Sequence, residues 1–355
     1  DNGTLIGSHN VYDFHGEAQN VGMVQTWNQC EQMLLTSVDK AESVLLMDTE
    51  TGSALSELSL RRQQKNWKMT VDSITPMQKF EQYKASKEFN LFGLGDGGKT
   101  VFALSHDSRA GENVEEFVIR ADSSRKYKSY TFSCHAQTKG GHLVLGRTDG
   151  AVALYDAIMQ SEKAACVLDG MPGPVTSIDV SADGSMVVWT TPEFVFFSCP
   201  SEAHWTSGVK PGGKPAILKL DVRREDLQKM VALETGRAEG GASDDAPEGE
   251  EESEGTDELP QWMPVRFDAG TAKDDAGTAE REIITYCGST QLRWNVAKAK
   301  EAWSALDARE EGSAMPAPFY GTAKGVGGPV FRHVTVKDDI DIVALGDEMV
   351  KSLRF

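Results

Sequence analysis

The stretch FSCHAQTKGGHLVLGRTDGAVALYDAIMQSEKAACVL, running from Phe132 to Leu168, decides the fold. Within it His142 to Gly146 is a short apolar run, Arg147-Thr148-Asp149-Gly150 is a turn, and Ala151 to Tyr155 is a second apolar run ended by Asp156. Asp-Gly suits the bend of a hairpin: Gly takes positive φ without steric cost, and Asp bonds locally to the backbone. Thr131 to Cys134 supplies a strand before the hairpin and Ala164 to Leu168 one after it. Four short strands are thus stacked in about forty residues, the rhythm of one blade of a β-propeller.

The same unit recurs. Val175 to Val180 leads into the turn Ser181-Ala182-Asp183-Gly184, followed by Met186 to Thr190 and Phe194 to Ser198. Earlier, Gln32 to Thr36 precedes Ser43 to Asp48, the turn Thr49-Glu50-Thr51-Gly52 and Leu55 to Leu60. Blades are therefore expected around Gln29 to Leu60, from Val71 to Arg120, at the Phe132 and Val175 units, and from Val265 to Trp303. The Val175 unit takes Ala216 to Leu220 as its last strand, after a long loop from Pro200 to Lys214. Thr4 to Gly7 and Val11 to His15 read as an N-terminal hairpin, and Val330 to Val336, Ile340 to Leu345 and Met349 to Phe355 as three C-terminal strands. Pairing the two termini in one blade would remove an exposed sheet edge. The expected fold is all-β, a WD-repeat-like β-propeller forming one domain over residues 1–355, with seven blades and with six or eight as alternatives.

Composition sets bounds on function. A chain of 355 residues that is 39% hydrophobic can bury a large core, and it has no apolar run of eighteen residues that would span a membrane. It begins at Asp1, without a visible signal peptide, and is expected to be a fragment of a longer protein. Cys30, Cys134, Cys166, Cys199 and Cys287 are odd in number, widely spaced and without a CxxC pair. They read as small buried hydrophobes in a reducing, cytoplasmic setting, with neither zinc site nor disulfide framework. Ten acids and no Lys or Arg fall between Ala238 and Glu258, leaving −8 of the formal charge of −18 for the rest of the chain. Nucleic acid, which needs a basic footprint, is excluded as a partner. The acidic segment has too little apolar surface to offset its ordering entropy and is expected to be a mobile loop.

Several of these strings, taken in order, resemble the C-terminal WD-repeat-like domain of the vacuolar import and degradation protein 27 family. They are Leu46-Met47-Asp48 through Gly52, Phe92-Gly93-Leu94 with Asp107-Ser108-Arg109, Gly146 to Asp156, Ile178 to Gly184, Pro215 to Leu220, and Glu282-Ile283-Ile284 with Trp294-Asn295. The resemblance extends over nearly the whole chain and departs at Pro200 to Lys214 and in the insertion before Trp262. It implies a propeller acting in the import of cargo for degradation, with an additional N-terminal region, and it carries no catalytic residues with it.

Individual motifs read as structural. Asp48, Asp156 and Asp179 lie at or near strand ends, where Asp bonds to turn amides, and Gly52, Asp149, Gly150, Asp183 and Gly184 belong to turns. Ser181 to Trp189 approaches the Asp box of sialidase propellers, but Asp183 and Gly184 are adjacent where that box separates them by one residue. The seven histidines show no metal-binding grouping. Gly93 to Gly98 lacks the helix that a phosphate loop requires. Leu60-Arg61-Arg62-Gln63 approaches an LRRG-type phosphoinositide motif with Gln63 in place of Gly. Arg61, Arg62 and Lys65, with Lys68, are therefore the basic cluster to test at a membrane surface. Met33, Met47, Trp189, Trp294 and Trp303 read as packing in or beside strands. The sequence thus implies a monomeric, non-catalytic scaffold that binds protein partners and needs no cofactor. The alternative is a propeller enzyme of hydrolase or lactonase type, with His and carboxylates gathered at the central channel.

Overall fold

The computed structural model describes residues 4–9, 11–13, 15–27, 32–38, 40–59, 61–62, 67–68, 70–76, 91–107, 112–120, 130–157, 163–169, 171–206, 208, 213–226, 262–268, 281–287, 290–309, 317–325, 334–337, 341–345 and 350–354. The acidic segment from Ala238 to Glu258 lies outside them, as do Cys30 and Lys65. β1 (Thr4–His9) comes first. Sheet one contains β2 (Val21–Trp27), β3 (Gln32–Ser37), β4 (Ser43–Asp48) and β5 (Ala54–Ser59). A ribbon of β6 (Arg61–Arg62) and β7 (Trp67–Lys68) follows. Sheet two has β8 (Val71–Pro76), β9 (Leu91–Gly95), β10 (Thr100–Asp107) and β11 (Glu112–Arg120). Sheet three has β12 (Phe132–Gln137), β13 (His142–Arg147), β14 (Val152–Ala157) and β15 (Cys166–Leu168).

Sheet four consists of β16 (Ser177–Val180), β17 (Val187–Thr190), β18 (Val195–Ser198) and, after the short helix α1 (Glu202–Trp205), β19 (Leu218–Asp221). Sheet five starts with β20 (Arg266–Asp268), β21 (Glu282–Cys287) and β22 (Thr290–Asn295), and is interrupted by helix α2 (Val296–Asp307). β23 (Phe319–Tyr320) then adds to β19 in parallel, and β24 (Thr322–Gly325) completes sheet five. β25 (Val334–Lys337), β26 (Asp341–Leu345) and β27 (Val350–Arg354) form the terminal sheet, in which β1 pairs with β27. Apart from β23, neighbouring strands in the sheets are antiparallel, and six sheets of four or five strands are found among the described residues.

Three expectations are corrected. Thr4–His9 does not form a hairpin with Val11 to His15: it pairs with the last strand of the chain, while Tyr12 bridges to Ala18. Sheet one starts at Val21, ahead of the expected Gln29. The fold is mostly β rather than all-β, because Trp303 lies on α2 and the fourth strand of sheet five is Thr322–Gly325. Asn295 caps that helix by accepting from the amide of Lys298 at 3.0 Å. Val296 and Ala299, with Ala302, Trp303 and Leu306, pack it against sheets four and five. Trp303 Nε1 donates to the carbonyl of Ala216 at 2.7 Å, and Asp307 accepts from the amide of the same residue at 2.9 Å.

The core lies between sheets. Leu34, Val44 and Leu46 turn toward Ile74, Leu91 and Phe102 of sheet two, while Met33, Leu35, Leu45 and Met47 face the other way with Val11 and Val24. Phe92, Leu94 and Val101 of sheet two meet Leu143, Leu145 and Tyr155 of sheet three. Val144, Val152 and Leu154 meet Val180, Val187 and Trp189, and Val188, Phe197 and Leu220 meet Ile283, Leu292 and Trp294. Central strands buried on both faces need apolar residues at every position, which is why HLVLG and AVALY read as unbroken apolar runs.

Candidate functional site

The first strands of successive sheets lie side by side, and polar groups join them. Between sheets one and two the amide of Val71 donates to the carbonyl of Ala41 at 2.7 Å, and between two and three Phe132 donates to Gly98 at 2.7 Å. Between three and four Val175 donates to Arg147 at 3.0 Å. Between four and five the amide of Val265 donates to Ser177 Oγ at 3.0 Å, and that of Phe267 to Asp179 Oδ2 at 2.8 Å. Asp179 therefore serves the neighbouring sheet rather than a turn. Replacing it with Ala strands a part-buried amide, and an Asp179→Ala variant is expected to lose about 1–3 kcal/mol of stability, read as a lower urea midpoint at unchanged slope.

Along this line Ser73 of β8 and His135 of β12 make a Ser–His contact, Oγ to Nε2 at 3.0 Å. Phe92 packs edge-on to the imidazole, with ring centroids 4.9 Å apart. Although part of the residue remains accessible, burial of the ring pushes its pKa down to about 4. Its Nδ1 has no hydrogen-bond partner among the described residues. A catalytic base needs an orienting group on that nitrogen and a pKa near the working pH; His135 has neither. The adjacent Cys134 thiol is pushed up to about 12 by burial, so it is no nucleophile. The other Ser–His contact, Ser201 with His204, lies at the N-terminus of α1. Nδ1 of His204 meets both the hydroxyl and the amide of Ser201, and Nε2 lies 2.9 Å from the Gly213 carbonyl. Among the described residues no group of three His, Cys, Asp or Glu side chains could hold a metal ion.

The turn residues singled out from the sequence lie apart from this line of strands. Asp48 Oδ1 accepts from the amide and hydroxyl of Thr51 at 2.7 and 2.9 Å, and the amide of Gly52 bonds to the Asp48 carbonyl. Asp149 pairs with Arg147, whose guanidinium stacks 3.5 Å above the centroid of the Tyr130 ring. Gly150 has φ +84°, and a Cβ there would meet the Met171 carbonyl oxygen at 2.4 Å. Asp183 Oδ1 accepts from Ser181 Oγ at 2.7 Å and from the amide of Ser185 at 2.9 Å. Burial opposes its ionisation, but these bonds outweigh burial and lower its pKa. Gly184 is at positive φ, and Asp156 is half-buried within β14. The backbone of Arg61 and Arg62 pairs with Lys68 and Trp67.

Two features had no sequence signal that was used. The first is at one end of sheet one, where Asp13 is buried beneath the loop before β2. It accepts from the amides of His15 and Glu17 at 2.9 and 3.0 Å, from Gln19 Nε2 at 3.2 Å, and from Lys40. The Lys40 bond is the largest cause of an Asp13 pKa held down at about 2. Gln19 Oε1 in turn accepts from Ser37 at 3.0 Å. This network fixes two loops from which Tyr12 and Val38 project, 47% and 67% exposed.

The second is the polar face of sheet five, on which Tyr286 and Gln291 are buried. Register places Arg266, Ile284, Arg293 and Thr322 in one row across it, with Tyr286, Gln291 and Lys324 in the next. The opposite face carries Phe267, Ile283, Leu292 and Trp294 and joins the core. Arg293 is committed, Nε to Gln291 Oε1 at 2.7 Å and Nη1 to Glu282 at 3.0 Å, and Gln291 Nε2 also donates to the Tyr286 hydroxyl at 2.6 Å. The polar-apolar alternation of Leu292 to Asn295 within TQLRWN was a partial signal for this two-sided sheet.

Comparison with known proteins agrees with this architecture. The β-propeller domain of Cps50 (Swd1) from Myceliophteria thermophila superposes with a TM-score of 0.54 over 99% of this chain and 91% of that one, at 10% sequence identity, a likeness of fold alone. No curated protein matches the sequence. The family model described as the VID27 C-terminal WD40-like domain matches residues 6–200. That span takes in sheets one to three and the first three strands of sheet four, more than half of the chain, and the chain belongs to the VID27 family as its C-terminal WD40-like domain.

Proposed function

We propose that this domain is a non-catalytic scaffold that binds protein partners in the import and degradation process for which its family is named. The observation that carries this reading is the end of sheet one, where the buried Asp13 carboxylate, paired with the part-exposed Lys40, ties two loops together by hydrogen bonds while Tyr12 and Val38 face solvent. Ordering loops in advance lowers the entropic cost of docking, and exposed large apolar side chains supply the contact. The disabled Ser73–His135 pair supports the same reading over the hydrolase or lactonase alternative. In this reading the sheets close into a ring through the β1–β27 pairing, and a count of seven requires one sheet beyond the six among the described residues.

The test is quantitative affinity capture from lysate with the wild-type domain, a Tyr12→Ser/Val38→Ser double variant, and a version lacking Ala238 to Glu258. A saturable protein partner is expected with the wild type, at least tenfold depleted with the double variant. No saturable partner for the wild type would overturn the scaffold reading. Loss on deletion of 238–258 would assign the acidic segment to the same interaction.

A further inference from the structure

We propose that the face carrying Tyr12 and Val38 takes a short segment of a partner protein in which a large apolar side chain stands beside a Lys or Arg; this rests on the scaffold reading and deepens it. Single exposed apolar residues are ordinary on a protein surface, but here backbone pairing gathers them. The amide of Asp13 donates to the Glu17 carbonyl at 3.0 Å, Tyr12 bridges to Ala18, and the amide of Gln19 donates to the Val11 carbonyl at 3.0 Å. Residues 11–13 and 17–19 therefore form a short antiparallel ladder. The amide of Val38 donates to the Asn20 carbonyl at 2.9 Å and carries that ladder on to the end of β3. Alternation divides it into two faces. Val11, Asp13 and Gln19 are buried on one; Tyr12, Ala18, Asn20 and Val38 are exposed on the other. The pairing sets the short side chains of Ala18 and Asn20 between the larger Tyr12 and Val38.

The charge around this face selects the occupant. Lys40 is bonded to the Asp13 carboxylate, lies 3.8 Å from Glu17 and is also attracted by Glu57. One ammonium among three carboxylates leaves this end of the sheet negative. The Asp13 carboxylate is sealed and spent on Lys40, Gln19 and backbone amides, whereas the Glu17 side chain is 70% exposed, next to Ala18 at the turn of the ladder. Glu17 is thus the group that meets an incoming cation. Outside 238–258 the chain still carries a formal charge of −8, which draws in a basic segment and repels an acidic one. The Tyr12 ring adds to the preference, because the face of an aromatic ring attracts an ammonium or guanidinium. Val38 and the body of that ring take an apolar side chain out of water.

The experiment selects from a displayed library of random peptides on the whole 355-residue chain and, in parallel, on the Tyr12→Ser/Val38→Ser double variant. The wild type is expected to enrich peptides that place a large apolar residue within three positions of a Lys or Arg, and the double variant to recover them at least tenfold less. The double variant keeps the ten acids of 238–258, so peptides drawn to that segment bind both proteins equally. One enriched peptide is then titrated. Glu17→Lys is expected to weaken it at least fivefold and Glu17→Gln to a smaller degree, with the loss shrinking as salt is raised. If the double variant does not fold by circular dichroism, Glu17→Lys decides. Enrichment of acidic or uncharged peptides, equal recovery on the double variant, no enrichment, or an affinity unchanged by Glu17→Lys overturns the proposal. In the capture experiment, a partner lost with the double variant but retained fully by Glu17→Lys leaves the scaffold reading standing and removes the cation from it. Failure of capture with peptide binding intact does the reverse.

Discussion

A Gly98→Ala variant is expected to be largely unfolded at 37 °C, or to melt many degrees below the wild type. Gly98 sits in the turn between β9 and β10 with φ +73°, and a Cβ there would lie 1.9 Å from the carbonyl oxygen of Phe132. The clash is with backbone, so no side chain can swing aside. The same backbone segment makes the 2.7 Å bond from the Phe132 amide to the Gly98 carbonyl that joins sheets two and three, so relief of the clash breaks the join. Strained φ and forced displacement each cost roughly 1–3 kcal/mol, and the loss of the bond adds to them. The total approaches the whole stability of a typical domain. The control is Gly97→Ala, also at positive φ but with nothing within 4 Å of the added carbon, which isolates the conformational part. Equal melting temperatures for the two variants would show that the contact with Phe132 costs nothing.

Acid is expected to weaken the fold well before its carboxylates titrate. His135 has a folded pKa of about 4 against an ordinary value of 6.5, so between those values protons bind the unfolded chain in preference. Its contribution is fully present above pH 6.5, declines as pH falls through the window, and is gone below about 4, a change on the order of 3 kcal/mol. Asp13, at about 2, stays ionised throughout. Asp48, Asp169 and Asp183 are lowered from the ordinary carboxylate value and act below the window. Asp72, raised chiefly by burial, works in the opposite sense. Urea midpoints at pH 7.5, 5.5 and 4.5 should therefore fall steadily for the wild type and stay nearly level for His135→Phe. Parallel declines in the two proteins would place the effect elsewhere.

Local signals carried most of the strands. Asp149-Gly150 and Asp183-Gly184 mark turns that act within a few residues, so sheets three and four could be read almost to their ends from the sequence. The pairing of the two termini was expected and is present as β1–β27, but a nearby apolar run at Val11 offered a false local partner for the first strand and instead packs against sheet one. Other long-range contacts were missed. Asp179 looked like a turn residue because its partner, Phe267, is 88 positions away. Helix α2 was absorbed into a strand reading by Trp294 and Trp303, although Asn295 as cap and Val296, Ala299, Trp303 and Leu306 at helical spacing were there to be read. The Asp13 network and the row containing Arg266 depend on register between strands, which one-dimensional patterning does not reveal.

The burial of central strands such as β3, β4, β9, β13 and β17 on both faces bears on how errors arise while the chain folds. In a sheet with one wet face, sliding a strand by one residue turns its apolar set outward and is punished at once. Here the same slide exchanges one greasy face for another. Correct alignment must then come from size and polarity at single points: Gly93, where a Cβ would lie 2.2 Å from the Ser73 carbonyl oxygen; Gly146, where it would lie 2.4 Å from Cys134 Sγ; and the amides that find their acceptors on the next sheet. Mutations at such points are therefore predicted to yield misaligned, aggregation-prone chains during synthesis more readily than loosened native molecules.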